Sequence, residues 1–336
     1  MTTLRLYPGT PSGVGSLPHA DVLEAVEDAL RLTPELPAAP QLPRRHPRET
    51  MLAQVLAGVP GVTVDPEGGS VRVDRRRLAA GDAGRPLDEE AWGGTLAFLR
   101  RVGELGHHGP VKVQVTGAVT LGLALVHGGA KPARAFAVAG AVVRDRVRAL
   151  LAEAATVAPE VPVVLVLDEP GLTAYPHAGF PLGADDTIDL LSGGLAAAKS
   201  AAMAGVHCCG PTDWRLVLHA GPDLISMPVD ATVGDDAAGL SSFLDRGGWI
   251  AWGAVPTDRP LGEREDVHWR ALTGLWCDLS RNGCDPMLLR TQSILTPACG
   301  LAHHAPEQVA HVFALVRRLA ERVQDQALAA RMSAGA

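Results

Sequence analysis

The sequence predicts an α/β fold, a single (β/α)8 TIM barrel over residues 1–336. Two observations lead there. Short apolar, β-branched runs alternate with longer amphipathic stretches. Polar residues of catalytic type recur just after those apolar runs, as at the mouth of a parallel barrel. The length of 336 residues suits one large barrel or two ordinary domains, and a 47% apolar content can fill its core. A doubly wound open sheet is the main rival. No Gly-x-Gly-x-x-Gly follows an early strand and no Gly-x4-Gly-Lys-Ser/Thr occurs, so its nucleotide-binding versions lose their usual support.

Taken in order, Ser12-Gly-Val-Gly-Ser-Leu-Pro18 reads as a strand end and a turn, and Asp21 caps a helix through Leu30. Pro34 to Arg48 holds five prolines and reads as irregular chain. Val62-Thr-Val-Asp65 and Ser70-Val-Arg-Val-Asp74 flank a Pro-Glu-Gly-Gly turn and predict a hairpin. Residues 34–75 are thus an excursion from the barrel. Helices are expected over 88–105, 132–155, 188–203, 214–220, 235–244, 266–282 and 307–331. Strands are expected at 14–17, 111–115, 161–167, 205–209, 224–227, 249–253 and 287–294. The eighth falls somewhere before residue 111.

Composition narrows the function. A net charge of −7 disfavours nonspecific binding to nucleic acid or anionic lipid, and 4% aromatics leaves little for stacking on single strands. Five cysteines is an odd, low count for a secreted disulfide scaffold. The start lacks a signal-peptide pattern, and no stretch approaches about 18 uninterrupted apolar residues. A cytoplasmic protein with reduced thiols is expected.

His207-Cys208-Cys209 sits at a strand end. Side chains alternate on a strand, so His207 and Cys209 share a face and Cys208 points away. With Cys299 they would make a one-His, two-Cys Zn2+ site; the competing reading is that these cysteines are ordinary core residues. Asp168-Glu169, after a buried strand, is either a solvated turn or a carboxylate pair holding a protonated substrate group. Arg75-Arg76-Arg77 reads as a solvated charge run. His303 and His304 lie near Cys299 in sequence.

These segments resemble the cobalamin-independent methionine synthases, namely their C-terminal catalytic barrel and the short single-barrel bacterial relatives. Gly15-Ser16-Leu17-Pro18 resembles the family's Gly-Ser-Phe-Pro. Val115-Thr-Gly-Ala-Val-Thr-Leu121 is similar to its Thr-Gly-Pro-Val-Thr, and Leu167-Asp-Glu-Pro-Gly171 to its Asp-Glu-Pro-Ala. His207-Cys-Cys209 matches its His-x-Cys, and Thr296-Pro-Ala-Cys-Gly-Leu301 its Pro-x-Cys-Gly-Leu. The matches run in order from residue 15 to 301.

The resemblance implies a zinc-dependent methyltransferase that methylates the thiol of homocysteine to form methionine. It implies that His207, Cys209 and Cys299 bind the zinc. It also implies that Gly15 and Ser16 cradle the substrate carboxylate and that Asp168 and Glu169 anchor its amine. Two family residues are absent. The strand 225–230 has no Glu, so Asp230 is the expected stand-in as fourth zinc ligand. The stretch Gly253-Ala-Val-Pro-Thr-Asp-Arg259 lacks the family's His, so Asp258 is the expected proton relay. The methyl donor, methyltetrahydrofolate, a corrinoid protein or a small methylated compound, is left open. A non-catalytic zinc- or thiol-binding barrel and a uroporphyrinogen-decarboxylase-like enzyme are the alternatives.

Overall fold

The computed structural model describes residues 4–66, 69–81, 84–175, 177–230, 236–259, 262 and 264–334. The expected helix start at Asp235 and part of the 66–69 hairpin turn lie outside these residues. The strands are β1 (Thr10–Pro11), β2 (Val62–Val64), β3 (Val71–Val73), β4 (Val111–Thr116), β5 (Val163–Asp168), β6 (Met203–His207), β7 (Leu224–Pro228), β8 (Trp249–Val255) and β9 (Ser293–Pro297). The helices are α1 (Val22–Leu32), α2 (Met51–Leu56), α3 (Gly93–Glu104), α4 (Ala118–His127), α5 (Pro132–Val157), α6 (Ala184–Ala198), α7 (Trp214–His219), α8 (Ala237–Asp245), α9 (Asp266–Arg281), α10 (Pro286–Thr291) and α11 (Pro306–Ala334). No described helix is long and apolar enough to cross a membrane.

Seven strands form one curled, parallel sheet in the order β1-β9-β8-β7-β6-β5-β4. The closed eight-stranded barrel expected from the sequence is therefore not what the ladders show. Among the described residues, backbone pairing across the gap between the edge strands β4 and β1 is limited to isolated parallel bridges, Ala38 to Lys112 and Gln41 to Ser16. Ala39 N–H donates to the Lys112 carbonyl at 2.8 Å and Gln41 N–H to the Gly15 carbonyl at 3.2 Å. Residues two apart on a regular strand donate to the same side. Here they donate to opposite neighbours, so the backbone turns over at Pro40, which has no N–H of its own. The proline-rich stretch thus lies in the gap, too irregular to complete a ladder. Buried Glu49 secures it, accepting from Leu42 N–H at 2.8 Å and from Gly94 N–H on α3 at 3.1 Å.

The expected hairpin forms as β2 and β3, antiparallel, and Val73 N–H docks it on the Gly128 carbonyl just beyond α4. Two boundaries move. The first strand is Thr10–Pro11, earlier than 14–17. The expected strand at 287–294 is instead α10 followed by β9, because the Asp285 side chain caps Met287 N–H at 2.6 Å and Pro286 opens the first turn.

The strands have two differently filled faces. Val111, Val113 and Val115 of β4 and Leu165 and Leu167 of β5 face the helices in the main core. Each fully buried side chain of this kind contributes about 1.5–3 kcal/mol. Inside the curl, Leu36, Val164, Val166, Leu224, Ala251 and Ile294 form a small separate apolar layer. That layer plugs the sheet below the strands' C-terminal ends, and the polar residues stand above it.

Candidate metal centre

Strand register lines up one inward row at the C-terminal edge. Thr116 pairs with Asp168, Asp168 with His207, and His207 with Ser226. His207, the last residue of β6, is buried, and its Nδ1 lies 2.9 Å from the Ser226 hydroxyl. Its Nε2 is buried, without a hydrogen-bond partner among the described residues. Cys209 shares the face of His207, and Cys299 follows β9 by two residues. One donor atom each from His207, Cys209 and Cys299 lies within 4.8 Å of the others. Cys208 points the other way, into the sheet–helix core, where burial lifts its thiol to about 12.

The two inward thiols act as a pair. Their mutual hydrogen bond, and then His207, bring Cys209 below the usual thiol range, while the same bond and burial push Cys299 up. An imidazole beside two cysteine thiols, their donor atoms turned to one point, is a donor set that suits zinc.

Asp168 ends β5 and is 8% exposed, with Oδ1 buried and unpartnered among the described residues. Burial raises its pKa, against Lys112 and His207. Glu169 takes a different direction. Val119 N–H (2.9 Å), Thr120 N–H (2.7 Å) and the Thr120 hydroxyl (2.6 Å) all donate to its carboxylate, which therefore caps the N-terminus of α4. Glu169 thus holds the mouth together, and the expected carboxylate pair is divided between two tasks. Gly117 leaves the room for it, since a Cβ there would lie 2.1 Å from Glu169 Oε1.

Burial lifts Glu169 from an ordinary 4.5 to about 7. The folded chain then holds this proton more tightly than the unfolded chain does. Stability falls as pH rises from about 4.5 to about 7, by at most about 3 kcal/mol, and levels off above. Urea unfolding between pH 4.5 and 7.5 should show this slope in the parent and its loss in Glu169→Gln; equal slopes would contradict the assignment.

Gly15 has φ of 137°, and a Cβ there would sit 2.4 Å from the Gln114 side chain. Ser16 lies against the loop of Cys299, its carbonyl accepting from Leu301 N–H at 2.8 Å. The two expected acids beyond β7 and β8 do not join the donor group. Asp230 and Asp258 share Arg259 in an exposed ion pair, at 3.4 and 2.9 Å, with their side chains 72% and 73% exposed. Asp230, expected as the fourth ligand, and Asp258, expected as the relay, thus lie beyond the ends of β7 and β8, exposed on the rim.

Lys112, Gln114 and Ser226 went unnoticed in the sequence. For the two on β4 part of the signal lies in the sequence, where Val111-Lys-Val-Gln-Val-Thr116 alternates apolar and polar; the structure adds that every residue of it is buried. A polar inner face on a fully covered strand marks a site. A cavity of about 500 Å3 lined by Leu4, Tyr7, Met203, Asp223 and Trp249 opens at the opposite, N-terminal ends of the strands, away from these groups.

The architecture matches solved structures. A B12-independent methionine synthase from Shewanella sp. W3-18-1, in complex with selenomethionine, aligns with a TM-score of 0.64 over 96% of this chain and 99% of that one, at 13% identity. The fold is that of the B12-independent methionine synthases. A putative vitamin-B12 independent methionine synthase from Listeria monocytogenes aligns at 0.59 over 90% and 86%, with 15% identity. No protein-family profile and no curated protein matches the sequence.

Proposed function

We propose that the protein is a zinc-dependent methyltransferase that transfers a methyl group to the thiol of homocysteine, forming methionine. One observation carries this reading: His207, Cys209 and Cys299 converge within 4.8 Å, with His207 Nε2 buried and without a partner among the described residues. Their place is the C-terminal edge of a fold shared with methionine synthases. His207, Cys209 and Cys299 would hold the zinc, which when bound keeps a substrate thiol deprotonated and nucleophilic near neutral pH.

The chain's own residues do the rest. Ser226 orients the His207 ring. Asp168 takes the substrate ammonium on its free Oδ1. Gly15 and Ser16 receive the carboxylate next to Cys299. Glu169 anchors α4 and with it the Thr116–Thr120 wall. The substrate sulfur forms a bond to the methyl carbon as the donor–methyl bond breaks, and the electron pair leaves with the donor. Free metal-binding thiols suit the reducing cytoplasm.

The test is an incubation of zinc-loaded protein with L-homocysteine and, separately, methyltetrahydrofolate, a methyl-corrinoid protein and small S- or N-methyl compounds. Methionine from one of them is expected. Zinc retention with no methionine from any would favour a non-catalytic thiol-binding barrel, the reading that the exposed position of Asp258 supports.

A further inference from the structure

Inside the curl, β4 carries a charge that the proposed chemistry does not use. Lys112 is 6% exposed, and its ammonium donates to the Val14 carbonyl at 2.6 Å and to Gln114 Oε1 at 3.3 Å. Burial lowers its pKa to about 8, with Asp168 opposing. Burying an ammonium costs more than burying a neutral donor. The neighbouring Gln114 stitches the gap without a charge, its Nε2 donating to the Ala39 carbonyl at 2.7 Å. What differs is the place each one holds. Gln114 holds the proline-rich segment, whereas Lys112 holds the peptide that leads into Gly15 and Ser16.

That peptide is planar and trans, so fixing the Val14 carbonyl also fixes the Gly15 N–H, which points the opposite way. Gly15 lies against Gln114 on one side. On the other, a Cβ at Gly300 would meet the Ser16 hydroxyl at 1.8 Å. The segment 14–16 is therefore threaded between the inward side chains of β4 and the loop bearing Cys299, and Lys112 sets its entry.

We propose that Lys112 is a positioning residue that holds Val14 so that Gly15 and Ser16 form the receptor for the carboxylate of the thiol substrate. The proposal rests on the homocysteine reading of the site. It makes the charge of Lys112 a determinant of which thiols bind: amino-acid thiols, in preference to simple aminothiols.

The experiment is calorimetric titration of zinc-loaded parent, Lys112→Met and Lys112→Gln with L-homocysteine and with 3-aminopropane-1-thiol, which has the same thiol and amine but no carboxylate. Zinc content is measured alongside. Lys112→Met should keep its zinc and bind the aminothiol within about twofold of the parent, while its homocysteine affinity falls about tenfold or more. Lys112→Gln, which keeps a donor for Val14, should fall between, and its ratio of the two affinities decides the matter if the Met variant does not fold. Unchanged homocysteine affinity, or equal loss for both thiols, would overturn the proposal. A parent that holds zinc and binds neither thiol would remove the substrate reading and this proposal with it.

Discussion

Cys209→Ser and Cys299→Ser should each lose zinc affinity by at least about a hundredfold, because each removes a thiolate that the other two donors cannot replace. Ser226→Ala should cost less, about tenfold, through the tautomer and orientation of His207, whose Nδ1 it partners at 2.9 Å. Cys208→Ser should keep full zinc, since its side chain lies in the sheet–helix core. Its cost should be in stability, about 1 kcal/mol. Elemental analysis of the four dialysed variants separates these outcomes. Full zinc in both Cys209→Ser and Cys299→Ser would exclude the centre. Loss in Cys208→Ser alone would mean that β6 presents its other face.

The second large effect concerns folding. Glu169→Ala should lower stability by about 3 kcal/mol or more, because it strands two backbone N–H groups and a hydroxyl in a buried place. Gly117→Ala should act at the same point from the other side, driving a methyl group into the carboxylate. Urea denaturation measures both. A loss below about 0.5 kcal/mol in Glu169→Ala would show that α4 does not depend on this cap.

How much of this was legible in the sequence depends on the kind of signal. Long apolar strands were plain: Val163–Leu167 lies within the expected run of 161–167, and Asp168, expected just after it, is the strand's last residue. The alternation rule separates Cys208 from His207 and Cys209 in the sequence itself, because a strand has only two faces. Irregular backbone was not legible. Pro34–Arg48 carries no strand pattern, yet its Ala38–Gln41 portion lies between β4 and β1 through bridges that local propensity does not encode. α4 was missed because its start is capped from across the sheet, by Glu169, with no capping residue of its own. Asp230 and Asp258 were chosen by their position after strands, and position alone does not say whether a side chain turns inward or, as here, pairs with Arg259 in water.

The central claim is that His207, Cys209 and Cys299 form a zinc centre that takes a substrate thiol. X-ray absorption at the zinc edge, on protein carrying one equivalent of zinc, tests it most directly. The account predicts two sulfur neighbours and at least one imidazole nitrogen in the resting protein, and three sulfurs once homocysteine is saturating. A sulfur count that stays at two with homocysteine bound would contradict thiol activation, and a resting spectrum without sulfur would contradict the centre itself.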